Sequence, residues 1–424
     1  MTLRQRNRRP PDSVSPAVRS LAVLSMHTSP LAQPGTGDGG GLNVYVHELS
    51  SALARAGVAC DVYTRAFSQD APAIVDVEPG FRVHHLAAGP LGPVAKEDLE
   101  GLVPEFAEAV LTRMGQGFAP DALHANYWLS GVAGHHIKHV LDVPLICTFH
   151  TLARVKAQAD DDEPERRARA EAEVIGCSEA VLASCTVEAQ QLVELYDADP
   201  DRIHILSPGV DHAFFAPGSR AGARRAIGVD PDTPMVLFVG RIQPLKGADV
   251  AVEAFARMVG EQPGALLVIV GGPSGPDGQS HLAHVHDLVQ RRGLGGRVRF
   301  VEPQPHEMLS SYYRAASVVL VPSRSESFGL VALEAAACGT PVVASAVGGL
   351  TTLVSHGETG FLVEERDPAQ FAAAATPILT DADLAASLGS AAARRARGYR
   401  WSRSAADLRA LYGELTDRVL VECR

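Results

Sequence analysis

The segment VVLVPSRSESFGLVALEA, residues 318–335, decides the fold class of the second half of the chain. Its apolar start, residues 318–322, predicts a buried strand, and the polar turn that follows leads into a helical pattern. A strand, a turn and a helix in this order indicate a parallel βαβ unit. The first backbone N–H groups of the helix, at residues 328–331, carry partial positive charge. We therefore expect a diphosphate to bind at this turn.

The same order of elements recurs along the whole chain. In the first half, an apolar strand at residues 21–25 leads through a glycine-rich turn at residues 34–41 into a helix that ends at Gly57. Further strands are expected at residues 58–64, 81–86, 122–125 and 145–149, and at residues 234–239, 265–270, 298–301, 318–321 and 341–344. The pattern predicts an α/β protein with two doubly wound, Rossmann-like domains that face each other across a cleft.

The domain limits follow from the turn-forming residues between the two halves, at residues 207–211 and 216–219. We expect a first, acceptor-binding domain over residues 19–208 and a second, nucleotide-sugar-binding domain over residues 209–398. Residues 1–18 lack the apolar core of a signal peptide and are expected to be a disordered tail. Residues 399–424 are expected to form a C-terminal helix, with packing against the first domain as one option.

Composition limits the class of partner. The net charge of −11 argues against broad binding to nucleic acid or to anionic membranes. The apolar runs are far shorter than the roughly 20 residues that a membrane span needs, so no transmembrane segment is expected. The six cysteines form no CxxC pair, which is typical of reduced thiols, and we expect a cytoplasmic protein without structural zinc.

Two glutamates flank the predicted diphosphate site. Glu326 lies just before the helix and Glu334 lies inside it. One carboxylate can then accept hydrogen bonds from a sugar and the other from a ribose, without touching the phosphate. Taken alone, the pair is more typical of an ordinary helix start with an acidic first turn, and the surrounding pattern shifts the interpretation toward a site.

Two cations follow the first strand of the second half, in VGRIQPLKG at residues 239–247. Arg241 and Lys246 lie on this loop at the carboxyl end of the strand, where they can neutralise a leaving diphosphate. Either residue alone would be typical of a solvated surface charge. Their position favours a functional interpretation.

These motifs together resemble a known family. Gly240-Arg241, Lys246-Gly247, Glu326 with Glu334, and the glycines at 39–41 resemble the retaining GT-B glycosyltransferases that include sucrose synthases. Segments at residues 25–31, 33–38, 43–45, 127–131, 150–152 and 196–202 resemble the family 4 enzymes of mycothiol synthesis that transfer N-acetylglucosamine to D-inositol 3-phosphate. The resemblance extends from about residue 21 to residue 412.

The resemblance implies a UDP-sugar donor, with N-acetylglucosamine as the transferred sugar and retention of configuration. It implies that the donor is bound by Gln33, Pro34, Gly40, Gly41, Arg241, Lys246, Gln304, Glu326, Phe328, Gly329, Leu330 and Glu334. Gln304 stands where the inositol-phosphate enzymes carry an arginine near the nucleotide base, so the base and the sugar remain open.

The implied acceptor is a small phosphorylated polyol, 1D-myo-inositol 3-phosphate. In the family its phosphate is held by a lysine, a tyrosine, a threonine and an arginine, which match Lys96, Tyr127, Thr151 and Arg169. Residues 160–172 depart from the family's usual tract before this arginine, so a different acceptor remains open. The acceptor is further expected to contact His27, Asp38 and Asn43.

The expected catalytic residues are Arg241, Lys246, Glu326 and His150. His150 follows a predicted strand, and its alternative role is that of a hydrogen-bonded core histidine. Since no carboxylate of the first domain stands out as a nucleophile, we expect front-face substitution, in which the departing phosphate oxygen takes the acceptor proton. No metal ion or other cofactor is required by this mechanism, and Mg²⁺ beside the diphosphate is compatible with it.

Three alternative functions remain open from the sequence. One is a hexosyltransferase with another acceptor, such as a sucrose-phosphate-synthase-like enzyme. Another is a catalytically silent regulator that binds nucleotide sugars. The third is a peripheral membrane glycosyltransferase that acts on lipids, to which the acidic net charge is unfavourable. Homodimerisation is an expectation from the resemblance alone.

Overall fold

The computed structural model describes residues 18–35, 37, 39–92, 94–95, 98–158, 165–416 and 419–421. Residues 1–17 of the predicted tail, Asp38 and Lys96 therefore lie outside the described residues. Val18, which was expected to belong to the tail, is 4% exposed and packs in a core cluster. None of the helices described here is long and apolar enough to cross a membrane.

The first domain is built on a sheet of eight strands. They are β1 (Ser20–Leu24), β2 (Ala59–Arg65), β3 (Ile74–Glu78), β4 (Phe81–Leu86), β5 (Ala122–Asn126), β6 (Leu145–Thr148), β7 (Ala180–Ala183) and β8 (Ile203–Ile205). Their order is β3-β4-β2-β1-β5-β6-β7-β8, and only β3 pairs antiparallel with its neighbour. The central strands consist of buried residues because helices cover both faces of the sheet.

The second domain is built on a sheet of six strands. They are β9 (Met235–Val239), β10 (Leu266–Val270), β11 (Val298–Val301), β12 (Val318–Val321), β13 (Val342–Ser345) and β14 (Gly360–Val363). Their order, β11-β10-β9-β12-β13-β14, is parallel throughout. The predicted α/β class with two doubly wound sheets is confirmed.

Fifteen α-helices lie within the described residues, and most of them connect successive strands. Those before residue 209 are α1 (Gly41–Arg55), α2 (Val103–Met114), α3 (Trp128–Leu141), α4 (Ala153–Gln158), α5 (Glu165–Cys177) and α6 (Thr186–Tyr196). The others are α7 (Arg220–Ala226), α8 (Ala248–Met258), α9 (Gly278–Arg291), α10 (Leu309–Ala315), α11 (Leu330–Ala337), α12 (Leu350–Leu353), α13 (Pro368–Thr380), α14 (Ala382–Ala396) and α15 (Trp401–Thr416).

The last helix, α15, packs against α1 of the first domain. Leu408 and Tyr412 are fully buried in the same apolar cluster as Leu49 and Leu53. Burying one leucine side chain contributes about 2 kcal/mol, so this face holds the helix firmly. The hydroxyl of Tyr412 is also hydrogen-bonded to Nδ1 of His124 on β5, at 2.9 Å.

The chain crosses between the domains twice, and the two crossings lie side by side. Val210 donates its backbone N–H to the carbonyl of Tyr399 at 3.3 Å, and the Ser404 hydroxyl donates to the carbonyl of Ser207 at 2.8 Å. A Cβ atom on Gly209 would approach the backbone nitrogen of Trp401 to 2.1 Å. Only glycine therefore permits this close approach.

The cysteines differ from the expectation at one position. Cys60, Cys147, Cys185 and Cys338 are buried free thiols, as expected. Cys177, at the end of α5, is disulfide-bonded, so the expectation of reduced thiols throughout is wrong for this residue.

Candidate active site

A cleft of about 730 Å³ lies between the two domains. It is lined by residues that follow β1, β5 and β6 of the first sheet and β9, β10 and β12 of the second. In both sheets the strand order reverses here, between β1 and β5 and between β9 and β12. Ligands of open α/β sheets bind at such reversal points, outside the carboxyl ends of the strands.

The cleft brings together most of the predicted site residues. Those that line it are His27, Pro34, Gly40, Gly41, Tyr127, His150, Thr151, Arg241, Lys246, Gln304, Glu326, Phe328, Gly329, Leu330 and Glu334. Gln33, Asn43 and Arg169 do not line it.

The two catalytic cations expected in the second domain lie on the loop after β9. Nζ of Lys246 donates a 2.5 Å hydrogen bond to Oε2 of Glu326, which also accepts one from the Ser323 hydroxyl at 3.2 Å. Arg241 Nη1 lies 3.4 Å from the Ser274 hydroxyl. Both cations thus lie at the carboxyl end of the strands of the second sheet, where an anion would bind.

The backbone before α11 takes a shape that requires glycine. Gly329 has φ 102°, in the left-handed region, and a Cβ atom there would lie 2.7 Å from Leu350 Cδ2. At Gly348, with φ 49°, a Cβ atom would lie 1.9 Å from the carbonyl oxygen of Glu326. These close contacts fix the loop that carries Glu326.

The glycine loop of the first domain faces Arg241. A Cβ atom on Gly40 would lie 3.4 Å from Arg241 Nε. Asn43, expected to contact the acceptor, is buried instead beneath this loop: its Oδ1 accepts the Gly40 N–H at 2.8 Å and its Nδ2 donates to Thr28 Oγ1 at 2.7 Å. Asn43 therefore holds the glycine loop in its conformation through these hydrogen bonds.

The first-domain side of the cleft contains an arginine that was not among the predicted site residues. Arg167 is 2% exposed, and its Nη2 donates to Thr151 Oγ1 at 3.0 Å. Its guanidinium carbon lies 5.1 Å from the centre of the Tyr127 ring, and Nε donates to Glu171 at 2.8 Å. The carboxylate of Glu171 therefore fixes the guanidinium beside Thr151 and Tyr127.

Arg169 was expected in this place, and the structure corrects that prediction. Its side chain is 75% exposed and lies 3.8 Å from Glu165, away from the cleft. The helical period explains the difference: positions 167, 171 and 174 share the buried face of α5, and position 169 points away from it. The three- and four-residue spacing of Arg167, Glu171 and Val174 along one helix face was the signal that could have identified Arg167.

His150 lies at the bottom of the cleft with a positive φ of 62°. Its Nε2–H donates to Asn126 Oδ1 at 2.9 Å, which leaves Nδ1 as the acceptor of a neutral ring. Burial lowers the pKa of His150 to about 3, with a smaller contribution from His124. The imidazole is therefore uncharged at neutral pH.

The two domains touch beside His150. The Ser327 hydroxyl donates to the carbonyl of His150, and the Ser184 hydroxyl donates to the carbonyl of Ser327 at 3.0 Å. Glu188, which was not among the predicted site residues, also lines the cleft and accepts the Ser184 N–H at 2.7 Å. Burial raises the pKa of Glu188 despite these hydrogen bonds.

In the described part of the chain, no group of three or more histidine, cysteine, aspartate or glutamate side chains could hold a metal ion. The proposed diphosphate site is instead lined by Arg241, Lys246 and backbone N–H groups.

Both halves of the chain match known glycosyltransferase families. Residues 40–209 match the family described as Glycosyl transferase 4-like domain, and residues 219–395 match Glycosyl transferases group 1. The D-inositol 3-phosphate glycosyltransferase of Kribbella flavida is 46% identical over 423 residues, covering 97% of this chain and 99% of that protein. That of Geodermatophilus obscurus is 47% identical over 415 residues, covering 96% and 91%.

Solved structures share the fold. Sucrose-phosphate synthase from Thermosynechococcus elongatus has a TM-score of 0.88 and 35% identity, covering 94% of this chain and 99% of that chain. Anabaena HepE in complex with UDP and glucose has a TM-score of 0.75 and 19% identity, covering 94% and 100%, which shows the fold alone. Because curated relatives match nearly the full length, the chain belongs to the GT-B glycosyltransferases, in the family of the D-inositol 3-phosphate glycosyltransferases.

Proposed function

We propose that this glycosyltransferase moves a sugar, N-acetylglucosamine, from a UDP-sugar to 1D-myo-inositol 3-phosphate with retention of configuration. The observation that carries the proposal is the placement of Arg167, Thr151 and Tyr127 across the same cleft from Lys246 and Glu326. The curated relatives that match almost the whole chain are named for inositol 3-phosphate.

The donor is proposed to bind against the second domain. Arg241, Lys246 and the N–H groups at the start of α11 would surround the diphosphate, because these residues line the second-domain side of the cleft. Glu326 would accept hydrogen bonds from the transferred sugar, and Glu334 from the ribose. Gln304 also lines the cleft, and it is proposed to lie near the nucleotide base. Because Gln304 replaces the family's arginine, donors with another pyrimidine or purine base remain candidates.

The acceptor phosphate is proposed to bind to the Arg167, Thr151 and Tyr127 cluster. The carboxylate of Glu171 holds this planar guanidinium in a fixed orientation, and a guanidinium is the side chain whose geometry best matches a phosphate. The hydroxyl of Thr151 adds a hydrogen-bond donor, and His27 lies 4.3 Å from Tyr127 between ring centres. His27 would therefore contact the polyol ring. Lys96 and Asp38 remain predicted contacts.

The proposed chemistry is front-face substitution. The acceptor oxygen attacks the anomeric carbon while the bond to the diphosphate oxygen breaks, and that oxygen takes the acceptor proton. Lys246, Arg241 and the helix amides stabilise the charge that develops on the diphosphate. His150, being neutral, would orient a sugar hydroxyl through Nδ1 rather than transfer a proton.

Glu188 provides the test between this mechanism and a covalent one. It is a carboxylate of the first domain that lines the cleft, and a nucleophile would have to come from such a position. Front-face substitution requires Glu188→Gln to keep activity within about tenfold of the unchanged protein. A much larger loss, with a sugar covalently attached to the unchanged enzyme, would show double displacement.

The test of function is product analysis by mass spectrometry and NMR. UDP-N-acetylglucosamine and UDP-glucose are each offered with inositol 3-phosphate, unphosphorylated inositol and fructose 6-phosphate. The proposal expects N-acetylglucosaminyl inositol phosphate with an α-linkage. An inverted linkage, or turnover confined to another acceptor, would overturn the corresponding part of the proposal.

A sucrose-phosphate-synthase-like activity is the second candidate, because the solved synthase is 35% identical over nearly the whole chain. It predicts product only with fructose 6-phosphate. A silent nucleotide-sugar-binding regulator predicts donor binding without any product.

A further inference from the structure

His306 lines the same cleft and lies directly against Glu334, the carboxylate proposed to bind the ribose. It lies on the short turn between β11 and α10, and its Nε2–H donates to Glu334 Oε1 at 2.7 Å. Neither the sequence motifs nor the proposed mechanism gives His306 a role.

The contact fixes the direction of the Glu334 carboxylate. The Tyr313 hydroxyl donates to the other oxygen, Oε2, at 2.7 Å. Each carboxylate oxygen can accept more than one hydrogen bond, so both keep capacity for ribose hydroxyls. The His306 ring is itself packed against Phe215, with 5.0 Å between ring centres. The three side chains thus hold Glu334 in one orientation.

His306 is also surrounded by negative charge. Burial opposes its protonation, but the carboxylates of Glu334, Glu48 on α1 and Glu307 on its own turn favour it, so the pKa of His306 lies above its usual value. Tyr313, which contacts the other oxygen of Glu334, is also titratable. Burial raises its pKa strongly, so it stays neutral. His306 is therefore the group of this cluster whose protonated form the surrounding carboxylates favour.

We propose that His306 is a positioning residue for the donor nucleotide: its imidazolium aims Glu334 at the ribose hydroxyls and tightens donor binding when it is protonated. The inference rests on the proposed function only in that Glu334 contacts the ribose of a nucleotide sugar. It does not depend on which acceptor the enzyme uses.

The sign of the pH effect follows from charge. The nucleotide diphosphate is an anion, so its binding favours the protonated form of His306 further. The affinity for the donor is then greatest when the pH is below the His306 pKa of the free protein. It falls as the pH rises from that pKa to the higher His306 pKa of the donor complex. A rise of one pKa unit on binding would weaken affinity about tenfold across this interval.

The experiment is calorimetric titration of the full chain with a UDP-sugar and with its 2′,3′-dideoxy analogue between pH 6 and pH 8.5. No acceptor is present, so acceptor identity does not affect the result. His306→Gln keeps a donor to Glu334 but cannot be protonated, whereas His306→Phe keeps the aromatic packing and removes the donor. His286→Gln is the control, because His286 packs on Phe300 in the same domain without lining the cleft.

The unchanged protein and His286→Gln are expected to lose about tenfold in affinity over the pH range and to bind the dideoxy analogue much more weakly. His306→Gln should lose the pH dependence but keep the preference for ribose hydroxyls, and His306→Phe should lose both. A pH dependence that persists in His306→Gln, or an undiminished ribose preference in His306→Phe, would overturn the inference. Failure of the unchanged protein to bind any UDP-sugar would instead refute the donor half of the proposed function.

Discussion

Lys246 and Glu326 form an ion pair of 2.5 Å that joins the loop after β9 to the loop before α11. Their side chains are 21% and 19% exposed, so the pair is largely shielded from water. Because each side chain neutralises the other, neither can be replaced without leaving a charge unpaired. The pair also sets the distance between the proposed diphosphate and sugar contacts.

Replacement of Lys246 by methionine should therefore abolish most activity. We expect kcat/KM to fall by about 10³, because a cation that stabilises the leaving group is lost and Glu326 loses its partner. Lys246→Arg keeps the charge with a different shape and should be intermediate. Steady-state kinetics with varied donor measures both, and unchanged kcat/KM in Lys246→Met would contradict the assignment.

Arg167 and Arg169 provide a matched pair on one helix. Arg167→Ala should raise the KM for the phosphorylated acceptor at least about tenfold, because a fixed cation beside Thr151 is removed. Arg169→Ala, at an exposed position, should leave that KM within about twofold. Thermal unfolding must accompany the kinetics, since Arg167 is also paired with the buried Glu171. Equal effects of the two substitutions on the acceptor KM would refute the assignment of Arg167, in place of Arg169, as the acceptor contact.

His150 should not produce a step in the pH profile near neutrality. The pKa of its ring is about 3, so it stays uncharged from pH 5 upward. His150→Asn is expected to lower kcat by about 10² through the loss of an oriented acceptor, while the shape of the kcat profile between pH 6 and pH 9 is retained. If the unchanged enzyme shows an acidic or basic limb in its kcat profile and His150→Asn lacks that limb, His150 titrates during turnover.

Asp61 should make the first domain sensitive to acid. Burial raises the pKa of Asp61, but hydrogen bonds from His84 and Arg82 outweigh this and hold its pKa below the usual value. A depressed pKa stabilises the folded state above the unfolded value of about 4, and this stabilisation is lost as the pH falls through the folded value. Asp61→Asn should therefore cost about 2 kcal/mol at pH 7 and progressively less in acid. Denaturant unfolding at pH 7 and pH 3.5 measures this, and a constant difference would argue against it.

Gly348→Ala should impair activity without contacting a substrate. The new methyl group would collide with the carbonyl oxygen of Glu326, 1.9 Å away, and the backbone there has a positive φ. The loop must shift, and with it the Glu326 carboxylate, which is proposed to contact the sugar. Gly357→Ala has a similar φ of 76° but open space around its Cβ position, so it is the control for backbone strain alone. A comparable loss of kcat in both variants would show that backbone strain, and not displacement of the Glu326 loop, causes the loss.

Much of the fold could be predicted because parallel strands buried on both faces are continuous apolar runs. The strand Phe81–Leu86 and the strand Val298–Val301 were predicted with their observed bounds. The missed strands β3, β8 and β14 contain exposed or partly exposed residues at sheet edges, where the apolar signal weakens. The missed strand β7, AVLA, is fully buried but has only four residues.

The candidate site was predictable where a residue belongs to a loop after a strand. Arg241, Lys246 and Glu326 all lie in such loops, and the cleft brings them together. Arg167 and Glu188 were missed because each lies on a helix of the first domain, and its direction depends on how that helix packs. His306 was missed because its partner Glu334 is 28 residues away along the chain.

The packing of α15 on α1 has a consequence for recombining these enzymes. Residues 401–416 complete the core of the first domain, and the second domain lies between two adjacent crossings of the backbone. A hybrid of two relatives made with a single splice would therefore give the first domain a foreign final helix. Exchange of the whole second domain needs two splice points, at the crossings beside Gly209 and Tyr399, so that its residues are transplanted as one internal segment.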